Sequence, residues 1–193
     1  MIDENKMTTL YLWRHPKPNA AKYRCIGQTD LTVNRRKIKR LANKIARFAR
    51  YHKLPKVIWV SPLLRSRLVG EWLAARGFIC HVDSRLMEIS FGNWDGKHWD
   101  DIDKAQIDAW CADFANFAFD NGESLTEFFT RVKDWLASFD EKSPEKTSPK
   151  LIVGHSGWIT AATMIANHQA VPTDPANWSK AIGYNELRVL EIS

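Results

Sequence analysis

The chain has 193 residues, 45% hydrophobic and 26% charged, with a net charge of +6. That composition is ordinary for a soluble globular protein, and no apolar run approaches the length of a membrane-spanning helix. Length predicts one domain over residues 1–193, large enough to bury a core.

The opening "MIDENKMTT" has neither the basic start nor the apolar run of a secretory signal, which predicts a cytoplasmic protein. Residues 8–14 read as a buried strand. It ends in "RHPKPN", where Arg14 and His15 precede two prolines that forbid a helix. After a loop, a helix is expected from about 32 to 52, with Ile38, Leu41, Ile45 and Phe48 at helical spacing and a densely basic opposite face. Such a face raises nucleic-acid binding, but no recognised binding motif accompanies it. It reads as a solvated surface whose positive field also attracts an anionic substrate.

Next, "KVIWVSPLLRS" gives a strand at 56–60, a turn at Ser61-Pro62 and a helix ending near Gly77, followed by a brief strand at 78–82. Strand, helix, strand, helix is the pattern of parallel α/β architecture. "LMEISFGNWDGKHWDDI" has no sustained period and reads as a functional loop. Two helices are expected at 100–119 and 124–139, the second opened by a Ser124–Glu127 capping box. They form a helical insertion at about 100–140 that covers the site or a sheet edge. "DEKSPEKTSPK" reads as a surface linker. A strand to about 154, a helix from about 157 to 168 and two strands around Tyr184-Asn185 complete the chain. The expected fold is a three-layer αβα sandwich with a mostly parallel central sheet.

In open α/β sheets, ligands bind beyond the carboxyl ends of the strands. Three predicted strands here end in chemically loaded residues: Arg14-His15, Ser61 through Arg65, and His155-Ser156-Gly157. Parallel strands would bring those ends to one edge, where two histidines and two arginines suit a phosphoryl group. Arginine offers a planar fork of donors that stays charged at any working pH. A neutral histidine nitrogen can act as the nucleophile, and a partly desolvated carboxyl can hold the proton that the leaving oxygen needs. Glu88 is the candidate for that proton, with Asp95 in the same loop as the alternative.

These motifs, in this order, resemble the histidine phosphatase superfamily, also called the phosphoglycerate mutase-like proteins. Arg14, His15 and Pro16 stand at its arginine-histidine-glycine signature. "SPLLR" matches its serine-proline-x-x-arginine element, "LMEISFGNW" its glutamate-bearing segment, and "VGHSGWI" the turn that carries its second histidine. Pro16 replaces the usual glycine, and Pro18 and Ala21 stand where Thr and Asn are common. Gln28, in "CIGQTD", is the candidate to supply the missing phosphate donors. The stretch "RHPKPN…CIGQTDL" is similar to the α-ribazole phosphatase branch, with Ile26 and Gln28 departing from its usual Tyr and Arg. The resemblance implies phosphate monoester hydrolysis through a phosphohistidine on His15, with His155, Arg14 and Arg65 on the phosphate oxygens. On resemblance alone the substrate is α-ribazole 5′-phosphate. The alternatives are a broad-specificity or sugar-phosphate phosphatase and a non-catalytic phospho-ligand binding module.

Trp94, Trp99 and Trp158 are candidates to line a pocket for a flat leaving group, against the ordinary alternative of core packing. His52, His81, His98 and His168 share no ligand spacing. Cys25, Cys80 and Cys111 form no CxxC pair, so no metal, cofactor or disulfide framework is expected. The expected partner is a small phosphate monoester, without nucleic acid or membrane, and a homodimer is left open.

Overall fold

The computed structural model describes residues 7–139 and 148–192. In chain order these form β1 (Thr8–Arg14), α1 (Arg35–Tyr51), β2 (Val57–Val60), α2 (Leu64–Ala74) and β3 (Ile79–Val82). There follow α3 (Lys104–Ala112), α4 (Leu125–Ala137), β4 (Lys150–Gly154), α5 (Ser156–Ala166) and β5 (Leu187–Ile192). The strands make one sheet in the order β3-β2-β4-β1-β5. Four of them are parallel, and β5 runs antiparallel to β1.

Side chains alternate between the faces of a strand, and here both faces are covered. Leu10, Leu12 and Ile152 point to one side and pack with Phe128, Val132 and Trp135 of α4 and Trp158 and Ala162 of α5. Trp13, Ile58, Val60, Leu151 and Val153 point to the other, against Ile38, Leu41 and Ile45 of α1 and Val69 and Leu73 of α2. The result is the expected three-layer sandwich. A third, mostly aromatic cluster of Cys25, Trp94, Ile102 and Phe119 sits beside it, joined by Phe91, Trp99, Trp110 and Phe117. No helix among the described residues is long and apolar enough to cross a membrane.

Several element boundaries differ from expectation for local reasons. The basic helix begins at Arg35, because the Asn34 side chain accepts the Arg36 amide and so starts it there. The helix expected over 100–119 is shorter. A single turn spans Trp99–Asp101, Asp103 caps α3 through the Ala105 amide, and α3 stops at Ala112. Beyond it Phe114, Phe117 and Phe119 turn into aromatic contacts that a continuing helix could not all reach. The Ser124–Glu127 capping box of α4 forms as expected. Of the two C-terminal strands only β5 forms; the segment before it is irregular, and its Ile182 carbonyl serves Arg14 instead of a ladder. The expected surface linker falls largely on 140–147, outside the described residues.

Strand register sets up the site. Arg14 lies opposite Gly154, and Val60 opposite Val153, so β1, β2 and β4 end side by side. The residues that follow, His15, Ser61 and His155, leave the sheet at one edge.

Candidate active site

His15 is buried at the end of β1, anchored by its own amide to the Gly154 carbonyl at 3.0 Å. Its Nδ1 lies 2.9 Å from the Pro16 carbonyl. A carbonyl can only accept, so the Nδ1 nitrogen carries the proton and Nε2 keeps its lone pair. Burial, with the nearby Arg65 charge, holds His15 well below the usual imidazole range, against the pull of the Pro16 carbonyl. The ring is therefore neutral at ordinary pH, with its free lone pair on Nε2.

His155 opens α5, its ring centre 5.0 Å from that of His15. Nδ1 accepts from Arg65 Nε at 3.2 Å, and Nε2 lies 2.6 Å from Ser61 Oγ. An arginine Nε only donates, so the neutral ring carries its proton on Nε2 and points it at the serine. Burial first, then Arg65 and His15, push this histidine also well below its usual range. Ser61 is in turn fixed by Ser66, whose Oγ takes the Ser61 amide and donates to the Val153 carbonyl.

Arg65, in the first turn of α2, is 1% exposed. Besides His155 it donates to the carbonyls of Thr29 and Gly27. Three of its five N–H groups are thus spent on the frame, leaving two for an anion. Arg14 donates Nη1 to the Ile182 carbonyl at 2.6 Å and sits over the Tyr184 ring, its guanidinium carbon 3.8 Å from the ring centre. Arg14 Nε is buried without an acceptor, as is the hydroxyl of Ser156 next to His155. An unsatisfied buried donor costs about 1–3 kcal/mol, which a bound phosphoryl oxygen would relieve.

Glu88 is buried across from these cations. Its Oε2 accepts from the Gly157 amide in the first turn of α5, and its Oε1 from the Ile89 amide. It thereby supplies the helix cap that His155 does not make. A side chain at position 157 would collide with the Glu88 carboxylate, so glycine is the residue that fits. Burial raises the Glu88 pKa, outweighing the two amides, Arg65 and Arg14 that pull it down.

Asp95, the alternative proton donor, is committed elsewhere. It accepts from the amides of Gly27, Gln28, Thr29 and Phe91 and from the Thr29 hydroxyl. It holds the 27–29 loop in place, and that loop's carbonyls hold Arg65. Gln28, the candidate phosphate donor, instead gives its side-chain amide to the Glu88 main-chain carbonyl at 3.0 Å. Asp30 accepts from the Leu64 amide, which caps α2.

The tryptophan candidates divide from the site. Trp158 is fully buried between Trp135 and the sheet, with its indole N–H on the Arg85 carbonyl, so it cannot line a pocket. Trp94 sits in the aromatic cluster and borders a cavity of about 340 Å³ against α3, while Trp99 stacks on Trp110. Burial overrides a pattern that sequence cannot separate from a pocket wall. The residue that sequence reading missed is Tyr184, which touches Arg14 and lies 5.7 Å, ring centre to ring centre, from His15. Its place in "GYNE", a turn signal just before the last strand, was the available hint. Among the described residues no group of three or more His, Cys, Asp or Glu side chains is placed to hold a metal.

A family model described as the histidine phosphatase superfamily, branch 1, matches residues 10–191. The chain belongs to that superfamily. It is a histidine-type phosphatase, and relatives that carry that activity resemble it at low identity. The adenosylcobalamin/α-ribazole phosphatase of Salmonella typhimurium is 34% identical over 83 residues, 42% of this chain and 40% of that protein. The glucosyl-3-phosphoglycerate phosphatase of Mycobacterium tuberculosis is 27% identical over 190 residues, 82% of either chain. The native structure of mycobacterial glucosyl-3-phosphoglycerate phosphatase superposes with a TM-score of 0.74 at 25% identity, covering 94% of this phosphatase and 89% of that chain. The Shigella flexneri α-ribazole phosphatase shares the fold, with a TM-score of 0.73 at 22% identity over 94% and 89% of the two chains.

Proposed function

We propose that this phosphatase hydrolyses a phosphate monoester through a phosphohistidine on His15, without a metal, and that its substrate is α-ribazole 5′-phosphate. One observation carries the chemistry. The Pro16 carbonyl holds the His15 proton on Nδ1, so a buried, neutral ring keeps its lone pair on Nε2, its centre 5.0 Å from that of the His155 ring and in the field of Arg65 and Arg14. Nε2 attacks phosphorus while the ester P–O bond breaks, and Glu88 gives its proton to the departing alcohol oxygen. Water then attacks the phosphohistidine, the P–N bond breaks, and the Glu88 carboxylate takes the water's proton. Arg14 and Arg65 supply the positive charge that the phosphoryl oxygens need in the transition state, and His155, with its Nε2–H given to Ser61, holds Arg65 in place through Nδ1.

Substrate identity rests on the "RHPKPN…CIGQTDL" stretch and on the 34% identity with the Salmonella enzyme. A sugar-phosphate ester is the second reading, favoured by the longer alignment with the mycobacterial phosphatase, 82% of either chain. The test is steady-state hydrolysis in excess chelator, comparing α-ribazole 5′-phosphate, glucosyl-3-phosphoglycerate and p-nitrophenyl phosphate for wild type and His15→Ala. The expected result is chelator-resistant turnover, highest kcat/KM on α-ribazole 5′-phosphate, and no activity in the variant. Preference for the glucosyl ester would move the protein to the second reading. Near-normal turnover by a folded His15→Ala protein would overturn the mechanism.

A further inference from the structure

We propose that Arg131 and Glu123, which touch no reacting atom, form a clamp that positions Glu88 for proton transfer. The inference rests on the reading of Glu88 as proton donor given above.

Glu88 stands in a segment with little regular structure of its own, a single turn over Ser84–Leu86 and then irregular chain. Buried backbone groups in such a segment need partners from elsewhere. Arg131 of α4 supplies them, donating Nη1 to the carbonyls of Arg85 at 2.8 Å and Met87 at 2.9 Å, and Nη2 to the Glu88 carbonyl at 3.3 Å. The same guanidinium grips both Glu123 oxygens, Nη2 at 2.6 Å and Nε at 3.1 Å. Glu123 in turn accepts the Ser90 amide at 2.9 Å. Four backbone groups on both sides of the Glu88 side chain therefore end on one ion pair.

Two features set this pair apart from an ordinary surface bridge. Its side chains are only 21% and 17% exposed, so solvent screens it weakly. Its geometry also needs a planar fork: one guanidinium meets three carbonyls and a carboxylate, which a lysine ammonium with three donors on one atom cannot reproduce. Glu123 immediately precedes the Ser124 cap of α4. The placement of α4 is thus coupled directly to the placement of the proton donor, and Gln28, on the same Glu88 carbonyl, adds a third support from the 27–29 loop.

Leaving-group dependence separates positioning from general support. The alkoxide of glycerol 2-phosphate needs a proton as it departs, whereas the phenolate of p-nitrophenyl phosphate leaves largely unaided. Glu88→Gln should lose about 100-fold or more in kcat/KM on glycerol 2-phosphate and far less on p-nitrophenyl phosphate. Arg131→Lys, Arg131→Met and Glu123→Gln should show the same bias, about 100-fold against less than about 10-fold for the Arg131 variants, as a misplacement near 1 Å would cause. In the Glu88→Gln background Arg131→Lys should add no further bias. Equal losses on both esters, or an undiminished effect on top of Glu88→Gln, would overturn the clamp and leave a structural role. A Glu88→Gln enzyme without bias would overturn the proton-donor reading, and the clamp with it. If Arg131→Met fails to fold, Arg131→Lys and Glu123→Gln decide.

Discussion

Two residues in this site have their chemistry set by the backbone. The Pro16 carbonyl fixes the His15 tautomer, and the Gly157 and Ile89 amides fix the direction of the Glu88 carboxylate. Their protonation follows from burial. His15 is lowered below about 6.5 and so is a free base through the neutral range, while Glu88 is raised above its ordinary 4.5 and keeps its proton further up the scale. In kcat/KM the acid limb, from His15, should therefore fall below pH 6.5, and the alkaline limb, from Glu88, above pH 4.5. Activity is expected to decline toward alkaline pH as Glu88 loses its proton, with that decline absent from the residual rate of Glu88→Gln. A wild-type rate that climbs steadily from pH 6 to pH 9 would contradict the assignment. His15, His155, Arg14 and Arg65 were legible in the sequence because each stands at or just past the end of an apolar run, or one turn into the helix that follows. Tyr184 was not, because its contact with Arg14 joins positions far apart in the chain and leaves no local mark.

At the scale of elements, the loops carry as much of the site as the strands. Asp95 gathers four amides and a hydroxyl, and through Gly27 and Thr29 it determines where Arg65 lies. Hydrogen bonds to a charged group contribute about 1.5–3 kcal/mol each and are not additive, so Asp95→Ala should lower stability by about 3 kcal/mol in urea unfolding. It should also weaken competitive inhibition by inorganic phosphate about tenfold, or about 1.4 kcal/mol, because Arg65 loses its anchored carbonyls. Unchanged phosphate inhibition would show that Arg65 is held without the loop. Sequence reading weighed Asp95 against Glu88 as proton donor because two carboxylates in one irregular loop look alike. What separates them is which amides converge on each, a tertiary property. The tryptophans show the same limit: one indole in a core and one in a pocket wall share a pattern, and only burial told Trp158 apart.

Across the whole molecule, parallel strand order was readable from the alternation of apolar runs and amphipathic stretches, and it brought the ends of β1, β2 and β4 to one edge. The antiparallel β5 and the early end of α3 were not, since both depend on contacts the local pattern does not encode. Placing two neutral histidines inside the fold carries a thermodynamic consequence. Both have folded pKa values depressed below the unfolded value near 6.5, so below that pH the unfolded chain binds protons that the folded one refuses. Stability should then fall as pH drops from about 6.5. Glu88, raised in the fold, works the other way, its ionisation costing stability as pH rises above 4.5, but it is one group against two. The urea midpoint is expected to be lower at pH 5 than at pH 7, with a smaller drop in His15→Asn. An equal drop in that variant would show that His15 is not the group responsible.

The central claim is that His15 receives the phosphoryl group. The most direct measurement is to mix the enzyme with p-nitrophenyl phosphate, quench in alkali, where phosphohistidine survives, and map the modified peptide by mass spectrometry. A phosphoryl group on the peptide carrying His15, on Nε2 and absent from His15→Ala, is the result expected. A phosphoryl group on another residue, or turnover with no phosphoenzyme under conditions where Glu88→Gln should slow its breakdown, would contradict the account.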